Sequence, residues 1–321
     1  MAAGFWSIAQ AHGSKRVSAS SETVGYATGL LTWVLAGGVF VAAKSAVDEM
    51  PSWTLCFWRL LIATMFLLPL VRHHFPDMAA FLRAHGLKAL VIGALGLGIT
   101  QGMMFTAMET TSAVNAGIIF STAPIITLVM AHFFLHESLG PWQVVGSVVA
   151  FFGIVVIAVQ GSLAVLLGLD LGSGDLIVVA AAVVFSSYCI LLKRAKFTLE
   201  RLPLLVILLA GGALSTLPFF LYELWNGEHS NLGWNGYLAL AYAAIPGGAL
   251  MYLLYNWSID ILGASRAQGL LYSQMIFTAI LAWLILGEAI EWYHFVGAGL
   301  IIAGVICVTF LKPKQAPQPV H

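Results

Sequence analysis

Arg59 and Glu109 are the charged side chains whose placement invites a functional role, because each lies within or beside a long apolar stretch. An ionisable group at membrane depth is costly, so it is kept for pairing, for lining a water-filled path or for chemistry. Arg59 falls about 9 Å along its helix at 1.5 Å per residue. There it can snorkel outward, pair with an acid such as Asp48 or Glu109, or attract a substrate carboxylate. The structural roles are the simpler ones. Glu109 is the one acid placed for proton coupling. The uncharged candidates are aromatic, amide and hydroxyl side chains within apolar runs: Trp33, Gln101, Phe105, Ser121, Tyr252, Asn256, Tyr272 and Gln274. Gln101, Phe105 and Met108 share one helical face, as do Tyr252, Tyr255 and Asn256. Aromatic walls bury an apolar body and amides bond its polar ends, which suits a small amphipathic solute. Each of these residues could equally serve packing or a local hydrogen bond.

Catalysis is not indicated. The chain has no GxSxG, no HExxH after His136-Glu137 and no paired-aspartate motif in an apolar run. Cys56, Cys189 and Cys307 sit singly in apolar runs without metal-ligand spacing, so they read as small packing residues. We expect no enzyme activity, no metal and no cofactor. Glu137 and Glu288 fall at helix ends, where capping is the simpler role than proton relay. Lys44 reads as an interfacial anchor.

The elements that position these residues follow from composition. The chain is 60% hydrophobic and 9% charged, with a mean hydropathy of +0.94. Soluble domains carry about 25% charged residues, so the expected class is an all-α integral membrane protein. A formal net charge of +0 suggests no nucleic-acid partner. No cleavable signal peptide is read in the first apolar run. Ten runs are long enough to span, near 24–47, 53–72, 87–108, 113–135, 141–160, 174–193, 202–225, 234–259, 264–286 and 292–311. Turns are expected at Pro51, Pro76, Gly140-Pro141, Gly172 to Gly174 and Asn226-Gly227. With both termini in the cytoplasm, twelve of fourteen basic residues fall on the cytoplasmic side, a strong positive-inside pattern. Trp residues near span ends suit an interfacial belt. Trp33 falls mid-span instead.

The chain also repeats itself. Residues 115–158 match 266–309 at an offset of 151, with Thr127 on Thr278, Glu137 on Glu288, Gly146 on Gly297 and Gly153 on Gly304. Gly25, Lys44 and Pro69 fall on Gly174, Lys193 and Pro218 at an offset of 149. Each copy holds five spans, an odd number, so the second copy enters the membrane inverted. Inverted halves place a substrate site at their interface near the midplane. The third span carries Gly96 and Gly98 where the eighth carries Pro246, Gly247 and Gly248. Both halves thus weaken one helix at the same place, for close packing alone or for packing with a hinge.

The repeated unit resembles the EamA-type repeat: an Ala-rich start, an apolar helix with a mid-helix Pro, then Leu-x-Glu and a helix of spaced glycines. The copies read NAGIIFSTAPIITLVMAHFFLHESLGPWQVVGSVVAFFGIVVIA and RAQGLLYSQMIFTAILAWLILGEAIEWYHFVGAGLIIAGVICVT. The early segment AAKSAVDEMPSWTLCFWRLLIA is similar to this family too. The resemblance implies the ten-helix drug/metabolite transporter superfamily, with cytoplasmic termini and export of small metabolites, often amino acids. Met275 stands where the first copy has Pro124, which removes the basis for a matching kink. The expected layout is a cytoplasmic tail 1–23, repeats 24–160 and 174–311, and a cytoplasmic tail 312–321. The expected partners are a small-molecule substrate and the lipid bilayer of the plasma (bacterial inner) membrane, the chain being a monomer or homodimer. A channel or structural membrane partner is the alternative function, and an intramembrane enzyme a weaker one.

Overall fold

The computed structural model describes residues 19–47, 49–120, 122–135, 140–162, 172–228, 230, 233–262, 270 and 273–310. These are helical with short turns, and no strand occurs among them. Apolar chain in lipid must satisfy its backbone groups internally, and the helix does this within one segment. In chain order the helices are α1 Ala19–Ala46, α2 Ser52–Leu67, α3 Phe75–Gly93, α4 Thr100–Met108, α5 Ala113–Phe120, α6 Ala123–Leu135 and α7 Pro141–Ala158. They continue as α8 Ser173–Ala195, α9 Arg201–Trp225, α10 Trp234–Ala244, α11 Met251–Leu262, α12 Ser273–Leu286 and α13 Trp292–Phe310. Among the described residues six runs are long and apolar enough to cross a membrane, with three shorter apolar helices beside them. Large apolar side chains such as Phe151, Phe152, Leu284 and Ile285 stay exposed, as a lipid-facing surface requires.

Three boundaries depart from the sequence expectation. The first helix begins at Ala19, inside the expected tail, with Glu22 in a first turn that favours an acid. Pro76 does not end a helix. The chain stays helical from α2 through a 3-10 stretch, Leu68–His74, into α3, because Pro69 and Pro76 lie in first turns, where a missing N–H is harmless. The run nevertheless doubles back, since Ser52 Oγ donates to Glu109 at 2.7 Å and Arg59 meets Gln101. The expected span 113–135 is described as α5 and α6 to either side of Ser121, and Pro124 lies in the first turn of α6 rather than mid-helix. The ninth expected span is described from Ser273 onward, with Leu270 before it.

Two π-helical turns interrupt the long runs. One joins α3 to α4 at Ala94–Ile99, the other joins α10 to α11 at Ile245–Leu250. They coincide at the repeat offset of 151. Their glycines also let neighbours approach. A side chain at Gly96 would meet the Tyr188 ring, and one at Gly98 would come within 2.8 Å of the Gly212 carbonyl.

Glycine pairs set a close helix crossing as well. A Cβ at Gly153 would lie 2.7 Å from the Gly297 carbonyl, and one at Gly304 would meet the Gly146 carbonyl. Helices α7 and α13 therefore run antiparallel, backbone against backbone. The contact is reciprocal: the repeat mates of Gly153 and Gly297, Gly304 and Gly146, form the second contacting pair, as two-fold packing demands.

Among the described residues, three helix N-termini are capped by carboxylates from other elements. Glu223 on α9 accepts from the backbone N–H groups of Trp53 and Thr54 at 3.0 and 2.7 Å and from Thr54 Oγ1 at 2.8 Å. Glu49 accepts from Gly233 and Gly236 at the start of α10. Glu288 accepts from Ala113 and Val114 at 2.9 and 3.0 Å, so it caps α5 and not its own hairpin. Each places negative charge where the helix dipole favours it. Glu137 lies outside the described residues.

Candidate functional site

Between the helices lies a cavity of about 740 Å³, within the range of small-molecule sites. Its wall is built from α1, α4, α6, α8 and α11, with Arg59 from α2, Leu97 from the first π turn, Phe120 from α5 and Gln274 from α12. Most of the surface is apolar or aromatic, including Trp33, Phe40, Phe105, Phe185, Tyr188, Tyr252 and Tyr255. Among the described residues the lining contains the cations Arg59 and Lys193 and no carboxylate. A second hollow of about 850 Å³ is lined by Arg83, His85, Lys88 and Arg194, among others. It lies between α3 and the end of α8 and shares no described lining residue with the first cavity.

Arg59 is 3% exposed and anchors the cavity. Its Nε donates to the Ala243 carbonyl at 2.9 Å, Nη1 to Gln101 Oε1 at 2.8 Å and Nη2 to the Gly247 carbonyl at 3.3 Å. Its guanidinium stands 5.7 Å from the Phe105 ring centroid. One side chain thus ties the residue just after the first π turn to carbonyls at the second. Asp48 lies outside the described residues, and Glu109 takes its bond from Ser52. The sequence expectation of an Arg59–Glu109 pair therefore gives way to carbonyl and amide partners.

Trp33 packs edge-on to Tyr255, with ring centroids 5.6 Å apart. Its Nε1–H is buried without a hydrogen-bond acceptor, which is unusual for a buried indole. Lys44 donates from Nζ to the Met108 carbonyl at 2.6 Å. It stabilises the C-terminal end of α4, where a cation suits the dipole, rather than serving only as an interfacial anchor.

Of the residues singled out from sequence, Trp33, Arg59, Gln101, Phe105, Tyr252 and Gln274 come together in the lining. Asn256 does not. Its Nδ2 donates to the Tyr252 carbonyl one turn back on its own helix, at 2.9 Å. Glu109 is exposed in the turn after α4 and lies off the cavity. Ser121 and Tyr272 lie outside the described residues. Gly96, Gly98, Gly247 and Gly248 sit in the π turns, as does Pro246.

Sequence reasoning missed the α8 wall, Phe185, Tyr188, Cys189 and Leu192. The signal existed. At the offset of 149 these positions fall on Ala36, Val39, Phe40 and Ala43 of α1, which line the cavity too. At 151, Gln101 falls on Tyr252, Met104 on Tyr255 and Ala123 on Gln274, and all six are lining residues. It also missed a buried polar chain beside the capped ends. The Glu291 N–H donates to His294 Nδ1 at 2.9 Å, so the ring proton is on Nε2 and bonds Asn115 Oδ1 at 3.0 Å. Asn115 Nδ2 then reaches Asp175, which also accepts from Thr111 Oγ1. The chain ties α5, α8 and α13 together.

Comparison with known proteins accords with this arrangement. The family model described as EamA-like transporter family matches residues 23–159 and 172–310. The uncharacterized transporter YyaM of Bacillus subtilis (strain 168) is 26% identical over 275 residues, covering 85% of this chain and 89% of that protein. An uncharacterized transporter of Clostridium kluyveri is 28% identical over 296 residues, covering 87% and 89%. The uncharacterized inner membrane transporter YicL of Salmonella typhimurium is 24% identical over 294 residues, covering 89% and 95%. A solved crystal structure shares the fold, with a TM-score of 0.57 at 21% identity, over 91% of this chain and 97% of that one.

Proposed function

Because the chain belongs to the EamA-like transporter family, an integral membrane transporter family, we propose that it exports small metabolites, amino acids or related amphipathic solutes, by alternating access between two inverted halves. The halves are 24–160 and 174–311, with tails 1–23 and 312–321 in the cytoplasm and the bundle in the plasma membrane. The six long apolar runs, one doubled back, together with the three shorter helices, support ten crossings. The reciprocal glycine contact of α7 and α13 supports the inversion.

One observation carries the mechanism: two π turns at the same repeat position flank one cavity, and Arg59 bonds at both. A π turn leaves i→i−4 bonds unmade, which makes it a low-cost bending point and a frequent mark of functional sites. In this proposal Gly96, Gly98, Pro246, Gly247 and Gly248 absorb the bend while α7 and α13 hold the halves together. The solute sits against Trp33, Gln101, Phe105, Tyr252 and Gln274, with Ser121 and Tyr272 assigned to the same site from sequence. That no carboxylate is among the described lining residues favours facilitated exchange over an obligatory carboxylate relay at the site.

Reconstituted protein should give saturable, counterflow-competent efflux of a metabolite mixture, reduced at least about tenfold in Gln101→Trp, which puts a bulky ring into the lining and removes the amide acceptor of Arg59. Flux that rises linearly with concentration, or a single-channel conductance, would overturn the carrier mechanism.

A further inference from the structure

Building on the transport reading above but replacing amino acids as its solutes, we propose that the cavity selects organic monoanions with an apolar or aromatic body, carboxylates lacking an ammonium group, over zwitterions and cations.

The charge of the wall carries this. Arg59 is buried and bonds only uncharged acceptors, the Ala243 and Gly247 carbonyls and Gln101 Oε1. Among the described residues no carboxylate pairs with it. A guanidinium has five N–H donors in a fork that matches a carboxylate. Three are used here, which leaves one on each terminal nitrogen for a ligand. A buried cation without a counter-charge is strongly destabilised, and a bound anion relieves that. No carboxylate is among the described residues of that wall. Trp33 supplies an independent pointer. Its buried indole N–H lacks an acceptor, and an indole can only donate.

The same inventory disfavours an ammonium. Gln101 Oε1 is already taken by Arg59, so an ammonium would meet the buried guanidinium and, among the described lining residues, no carboxylate. An apolar body, by contrast, finds Phe105 beneath the guanidinium and the rings of Tyr188 and Tyr252. Nor does this charge belong to the repeated framework: at the 149 offset Arg59 falls on Leu208 and Trp33 on Ala182.

Ligand triplets of one body and three charges test the inference: indole-3-acetate, tryptophan and tryptamine; phenylacetate, phenylalanine and phenethylamine; hexanoate, norleucine and hexylamine. Binding to the full-length protein in nanodiscs and counterflow in proteoliposomes are both read. The anion of at least one triplet should bind at least about tenfold tighter than its zwitterion and amine, the scale of one charge-assisted hydrogen bond. Gln101→Glu keeps an acceptor for Arg59 and neutralises it, so anion preference should vanish while the fold persists. Trp33→Phe should weaken anion binding several-fold and leave the protein folded. Tighter binding of a zwitterion or amine, no binding by any anion, or anion preference persisting in Gln101→Glu overturns the proposal. Saturable counterflow of a zwitterion or amine would overturn anion selection yet leave transport standing. Lack of carrier-dependent counterflow by every compound would overturn the transport reading as well.

Discussion

Glu223 performs from α9 what a local cap residue performs in most helices. It accepts three hydrogen bonds at the start of α2 and is 7% exposed. Around it the backbone closes α9 with two tight bonds, Glu228 N–H to the Glu223 carbonyl and Gly227 N–H to Leu224, made possible by the left-handed Gly227 at φ +77°. The carboxylate is thereby held at the mouth of another helix. Glu223→Gln keeps the shape but turns one acceptor oxygen into a donor facing N–H groups, so it should cost about 1–3 kcal/mol. Thermal unfolding of the detergent-solubilised protein should show a lower midpoint, while Glu228→Gln, at an exposed position, should leave it unchanged. Residue types made such carboxylates visible, but not their partners. Capping is local in sequence for most helices, whereas here donor and acceptor are separated by about 170 positions.

At the scale of elements, the π turns are where sequence and structure meet most closely. Glycine clustering and Pro246 marked both stretches as weak, and both adopt π geometry. What the pattern could not supply was the reason they persist in a packed bundle. Tyr188 occupies the space that a side chain at Gly96 would fill, and Val39 does the same at Gly247. Proline costs about 3 kcal/mol in a helix interior relative to alanine. Pro246→Ala should therefore raise the unfolding midpoint while slowing counterflow, because a regular helix resists the bend. Equal counterflow in the variant would mark the π turns as packing devices only. The run from α2 to α4 teaches the opposite lesson. Pro76 reads as a stop, yet in a first turn it costs nothing, and the reversal is made by a helical 3-10 stretch.

At the scale of the whole molecule, the cavity wall is symmetric in position and asymmetric in chemistry. Repeat mates line it together, Ala36 with Phe185, Val39 with Tyr188, Gln101 with Tyr252, but their side chains differ. A framework shared by two copies can rock, and differences between the copies can recognise a solute. If access alternates, Cys introduced at Met108 and at Leu192, lining residues on α4 and α8, should respond oppositely to a bound solute. One should gain reactivity toward a membrane-impermeant thiol reagent while the other loses it. Parallel changes at both would count against rocking. Composition, hydropathy and the two offsets by themselves determined an apolar helical protein, a duplicated chain and the weak stretches, because these depend on residue type and spacing along one dimension. The grouping of Trp33, Arg59, Gln101, Phe105, Tyr252 and Gln274 around one space, with Asn256 and Glu109 left out, was decided only by tertiary structure. Helical spacing puts a residue on a face, but the neighbour that face meets is set by glycine-mediated backbone approach and by caps reaching across the bundle, both contacts between residues far apart in sequence.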